Sequence, residues 1–171
     1  TEVPLPLLMG EASFRTGFNI QLAGDITSYY VQYLASPNAF GPKDIHDPQP
    51  YDVTWQDMYR VLSDVTDMET LAIEQRASHY LGAAYILKAI NLGLVLDLWG
   101  DVPYNEAFTG EVLQPTYDDD EALYTELLTL LDKGIVELGK PDQEFTLGDD
   151  DFIHTGDVDA WIETAHSLKA R

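Results

Sequence analysis

Apolar positions recur at helical spacing along most of the chain, and nowhere do they alternate as in a half-buried strand. The clearest run covers residues 77–98. Ala77, Tyr80, Leu81, Ala84, Leu87, Leu94, Val95 and Leu98 fall close to one face, while Gly82, Ala83, Ala89 and Gly93 fall on another. This pattern predicts a buried helix with a neighbour lying close against its small-residue side. Gly100 and Pro103 predict its end, because proline cannot continue a helix.

Four further helices follow from the same reading. Residues 1–10, with Pro4 and Pro6, read as an irregular lead, and 11–34 as a helix with Phe14, Phe18, Leu22, Ile26, Tyr29, Tyr30 and Tyr33 near one broad face. Thr54 is expected to N-cap a second helix packed through Trp55, Met58, Tyr59, Leu62 and Val65, with a break near 67–75. Asp118, with Glu121 three residues on, resembles a capping box for a fourth. That helix is packed through Leu123, Leu127, Leu130, Leu131, Gly134, Ile135 and Leu138 and stopped by Gly139 and Pro141. Asp157 is expected to cap a fifth helix, carrying Trp161, Ala165 and Leu168. The fold class is all-α, a single helical domain over 1–171. Between the first two helices, residues 36–51 hold Pro37, Pro42, Pro48, Pro50 and Gly41, which rule out a regular element. Loops this long are uncommon in a compact domain unless they carry function.

Charge narrows the partners. The 171 residues hold 30 acidic against 9 basic side chains, a formal net charge of −21. Such a surface repels phosphates and anionic headgroups, so neither nucleic acid nor an acidic lipid surface is an expected direct partner. There is no cysteine, hence no disulfide framework and no thiol chemistry. The N-terminus lacks the basic start and apolar core of a signal peptide, and no run of 18 uncharged apolar residues exists.

Catalytic and metal chemistry find little support. Asp101, Glu106 and Glu111 offer carboxylates in the central connection, but acid–base work needs two at a defined separation in a pocket, and solvated loop charges are the better reading. Glu163 and His166 have the spacing used in di-iron bundles without the second copy that chemistry requires. Asp149, Asp150, Asp151, His154 and Asp157 are oxygen-rich enough to suggest calcium but lack the ligand spacing of an EF-hand loop. Nucleophile-elbow and phosphate-cradling glycine motifs are absent. The expectation is a non-enzymatic protein with no cofactor and no metal.

Residues 84–134, with LWGDVPYNEAF followed by PTYDDDE, resemble the N-terminal helical region of the SusD/RagB-like family of nutrient-binding outer-membrane lipoproteins. The segment DFIHTGDVDAWIETAHSLKAR is similar to a later helix of that family, departing from its pattern at His166 and Ala170. The resemblance implies tetratricopeptide-like repeats forming part of an α-superhelix, and a chain that is the N-terminal portion of a longer protein. It further implies binding of an oligosaccharide or peptide and delivery to a TonB-dependent, SusC/RagA-like transporter. Location would be the cell surface, tethered to the outer membrane through a lipid anchor outside this chain. It places ligand contacts in the loop between the first helices, where Asn38, Phe40 and Tyr51 are the candidate binding residues: flat rings for stacking and an amide for hydrogen bonding. Trp55, Trp99 and Trp161, and Tyr104 and Phe108 of the signature, are expected to pack. The alternative is a helical-repeat scaffold that binds another protein and has no nutrient ligand.

Overall fold

The computed structural model describes residues 3–38, 40–141 and 145–171. Five α-helices follow one another, α1 (Leu5–Tyr30), α2 (Asp52–Gln75), α3 (Ser78–Trp99), α4 (Asp120–Leu138) and α5 (Val158–Ala170), and no strand occurs among the described residues. Each helix packs against the next, and α3 touches all four others, so the apolar run that opened the sequence reading is the axis of the fold. By length and composition α3 could cross a bilayer, but 72% of its apolar window is buried against its neighbours, which marks it as a core helix.

The small-residue side of α3 does what its pattern predicts. A Cβ on Gly82 would sit 3.0 Å from the Gly134 carbonyl oxygen and 2.5 Å from Leu138 Cγ, so α3 and α4 cross with their backbones nearly touching. Asp157 caps α5, its carboxylate accepting from the Ala160 amide at 3.0 Å.

Several expectations are corrected. Helix α1 begins at Leu5, not near residue 11, because Pro4 stands at the N-cap and Pro6 in the first turn, where a missing N–H costs no helical bond; it also ends at Tyr30, short of residue 34. Its buried face is not the aromatic one. Phe14 is 64% and Tyr33 87% exposed, while Met9, Ala12, Ser13, Thr16, Asn19, Ala23 and Ile26 face the core. The polar members satisfy one another: Asn19 donates to Asn91 at 3.1 Å, Asn91 to Thr16 at 2.8 Å, and Thr16 to the Ala12 carbonyl at 2.7 Å. Helix α2 starts after Tyr51 rather than Thr54 and runs through 67–75 unbroken; the break comes at Arg76, whose φ of +58° ends the helix.

Asp118 does not cap α4; Asp119 does, accepting from the Ala122 amide at 3.1 Å. Asp118 instead clamps the signature loop. Its Oδ2 accepts from the amides of Tyr104 and Asn105 at 2.8 and 2.9 Å, and its Oδ1 from Asn105 Nδ2 at 2.6 Å. A single backbone bridge joins Val102 and Asp118 beside it. Partial burial pushes this carboxyl up, but the Asn105 and Tyr104 donors outweigh it and hold it below the usual carboxylate value. Stability from a depressed carboxyl is fully present above the unfolded pKa and is lost as pH falls through the lower folded one. Asp118→Ala is therefore expected to lower unfolding free energy by about 1–3 kcal/mol at neutral pH. Urea titrations should show that difference shrinking at pH 3.

Candidate ligand-binding cleft

The C-terminal ends of α1 and α3 and the start of α2 meet at one end of the helical array, next to the proline-rich loop, whose His46 packs on Tyr30. Ile26, Thr27, Tyr30 and Val31 from the first, Asp97, Leu98 and Trp99 from the second, and Tyr51 line a cleft of about 370 Å³. Tyr30 and Tyr51 share a hydrogen bond between their hydroxyls at 3.2 Å. Burial first, and then that bond, push the Tyr51 phenol up to about 12, so it stays a neutral donor and acceptor. Trp99 is held edge-on by Trp55 at 5.1 Å between ring centres, and Trp55 stacks on Tyr59 at 4.6 Å. Tyr59 donates to the Pro103 carbonyl at 2.7 Å and stacks on Phe108. A rigid aromatic wall thus links the cleft to the signature loop. Tyr104 is buried in that wall, with Lys88 over its ring at 5.7 Å and paired to Glu69 at 2.7 Å.

This loop is held at several points. Asp44 accepts from the Ser36 amide at 2.9 Å, His46 stacks on Tyr30 at 5.4 Å, and Lys43 lies over the Tyr29 ring at 5.2 Å. A second hollow, of about 270 Å³, lies among Tyr29, Ser36, Gly41, Pro42, Lys43, Asp44 and Gln49. Of the three candidate residues, Tyr51 lines the cleft. Asn38 and Phe40 are exposed and line neither hollow, Phe40 at 83% exposure and with φ +66°. Tyr30 and Trp99 were missed because both read as helix-face residues. Their signal was positional: each lies at the end of a helix, and alternating helix directions bring those ends together.

Most of the other candidate carboxylates bond to backbone amides. Asp101 accepts from the Asp120 amide at 3.1 Å and Glu106 from the Thr116 amide at 2.9 Å, so both carboxylates hold the central connection together. Asp101, Asp119 and Asp120 form a group of neighbouring carboxylates at the start of α4, where the helix dipole favours negative charge. Glu163 and His166 are exposed and do not belong to it. Asp151 is buried: Oδ1 accepts from the Ile153 and His154 amides at 3.0 and 3.2 Å, Oδ2 from the Gly156 amide at 3.1 Å and Trp161 Nε1 at 2.7 Å. A carboxylate has about four lone-pair sites. All are spent on N–H donors, so Asp151 has none to offer calcium.

The architecture has counterparts among solved structures. A SusD/RagB family protein from Bacteroides thetaiotaomicron superposes with a TM-score of 0.88 at 23% identity, over 99% of this chain and 37% of that one. A chitin-binding SusD homologue from Flavobacterium johnsoniae superposes with a TM-score of 0.73 at 17% identity, over 94% of this chain and 37% of that one. The chain thus spans 37% of the length of each. No curated protein sequence matches it. The SusD-like family model, described as starch-binding associating with outer membrane, matches residues 7–171, and the chain belongs to that family.

Proposed function

We propose that this chain forms the helical portion of a cell-surface glycan-binding protein that passes its ligand to a TonB-dependent, SusC/RagA-like transporter. The family is one of binding proteins rather than enzymes. The observation that carries the glycan reading is the cleft itself, which Tyr30, Tyr51 and Trp99 line together beside a braced, proline-rich loop. Flat rings stack on the C–H faces of sugars, and the paired phenols offer hydroxyl-matching donors and acceptors. Asn38 and Phe40, exposed on the neighbouring loop, are proposed as further contacts for a ligand that reaches beyond the cleft. The net charge of −21 favours a neutral ligand over an anionic one. Attachment to the outer membrane is through a lipid anchor outside these residues.

The test is calorimetry on the full-length protein with maltoheptaose and chitohexaose, chosen because the family description and one relative name starch and chitin. Saturable binding of one of them without product formation is expected. Tyr51→Ala and Trp99→Ala should each weaken it about tenfold, the equivalent of roughly 1.4 kcal/mol per lost stacking ring. Phe40→Ala and Asn38→Ala should weaken it less, because neither residue lines the cleft. Turnover of the sugar, or no binding of either by folded protein, overturns the reading.

A further inference from the structure

Helices α1 and α4 both pack on α3, but neither α4 nor α5 packs against α1, and a slot is left along α3 between them. The slot is a groove of about 610 Å³ with aliphatic walls: Ile20 on α1, Ile90 and Leu94 on α3, Leu127 and Leu128 on α4, and Leu168 on α5. Ile20 is 50% and Leu128 44% exposed, one on each of two different walls. The charged groups of the lining are already paired, Asp97 with Arg171 and Lys169 with Asp132. What the groove offers a newcomer is aliphatic surface. Its stretch of α3, from Ala89 to Asp97, is about 12 Å long at 1.5 Å per residue, enough for about two turns of a helix lying alongside.

Three observations select the occupant. The walls hold isoleucine and leucine rather than the tryptophan and arginine that anchor separable partners, and an aliphatic face of this kind resembles a domain core cut in half. A second copy of the chain would bring a further net charge of −21 against the first. The helices match the N-terminal portion of the solved relatives, 37% of their length, and Leu168, Lys169 and Arg171 already stand on the rim of the groove. Polypeptide beyond Arg171 therefore leaves from the groove's edge, and its tether gives it an effective concentration that a free partner does not have.

We infer that this groove is an internal seat: an apolar segment of the polypeptide beyond Arg171 lies in it between α1 and α4–α5, and closes the gap that α3 alone cannot. The Tyr30–Tyr51–Trp99 cleft stays outside that contact and open to ligand.

Two measurements on the full-length protein, purified without any transporter, test the seat. The first is maleimide labelling of Ile20→Cys and Leu128→Cys, read by the mass of the peptide that carries each thiol. Both thiols should react at least 100-fold slower than a free cysteine peptide in native protein, at a rate unchanged by tenfold dilution, and at full speed in urea. The second needs no mutation. Photo-leucine incorporated in place of leucine should cross-link the peptides holding Leu94 and Leu128 to a peptide beyond residue 171. In a mixture of isotopically heavy and light protein, each such link should join peptides of one isotope. Labelling within 100-fold of the free peptide at either position overturns the inference. So does protection that fades on dilution, or heavy–light links, since either marks a second copy. Cross-links confined to residues 1–171 overturn it as well.

Discussion

Asp151→Ala is expected to destabilise the protein by about 3–5 kcal/mol, because buried N–H donors left without an acceptor cost about 1–3 kcal/mol each and such losses do not add fully. Four N–H groups lose their acceptor at once: the amides of Ile153, His154 and Gly156 and the indole of Trp161. Both Asp151 and Trp161 are fully buried, so water cannot replace what is lost without opening the structure. The damage should centre on the turn before α5. There Gly156 has φ +82° and stands so near Leu147 that a Cβ would lie 2.4 Å from its carbonyl oxygen. His154 sits edge-on to Trp161 at 4.8 Å between ring centres and bonds Thr164 at 2.8 Å, so the turn and the first half of α5 should loosen together. Asp151→Asn should fall between wild type and alanine, because the amide keeps one acceptor oxygen and turns a donor toward N–H groups. Urea unfolding followed by tryptophan fluorescence reads both variants. An alanine variant within about 1 kcal/mol of wild type would mean that the four bonds contribute little net stability.

The sequence-to-fold relation is uneven, and the reasons are local. Helix α3 was legible because its apolar and small residues sort cleanly by face, and Asp157 because a single aspartate precedes a helical run. Helix α1 was not. Phe14 and Phe18 carry far more apolar area than Ser13, Thr16 and Asn19, so pattern reading assigned the burial to the aromatic side. The polar side can be buried because Asn91, 72 residues on, completes its hydrogen bonds, and no local window contains that residue. The start of α4 failed through degeneracy. Asp118, Asp119 and Asp120 are chemically identical, and only the extended backbone of Asp119 makes it the cap. The cleft illustrates the same limit. Tyr51 was named because it ends an unusual loop, whereas Tyr30 and Trp99, 69 positions apart by their numbers, are joined only by the helix array.

The α3–α4 crossing supplies the other large effect. Gly134→Val is expected to cost about 3 kcal/mol, at the upper end of overpacking in a close-packed interior. A Cβ at 134 would lie 2.8 Å from Ile86 Cγ1 and 3.1 Å from the Gly82 carbonyl oxygen. The side chain of Ile86 can shift; the carbonyl belongs to α3 and cannot move without the helix. Gly82→Val should be at least as severe, because two of the atoms it meets, the Gly134 oxygen and the Leu138 nitrogen, are backbone at 3.0 Å. Valine is a better helix former than glycine, so propensity opposes the loss and the measured cost is a net of the two. Gly17→Ala on α1 isolates that opposing term, since its Cβ would meet nothing within 4 Å, and it should stabilise by about 0.5–1 kcal/mol. Because α3 also carries Leu98 and Trp99, separation of α3 from α4 should reach the cleft that these residues line. Thermal unfolding of the three variants reads the stability effects, and glycan affinity of Gly82→Ala in the full-length protein reads the effect on the cleft. A Gly134→Val protein as stable as wild type would show that the helices can part at this crossing without loss.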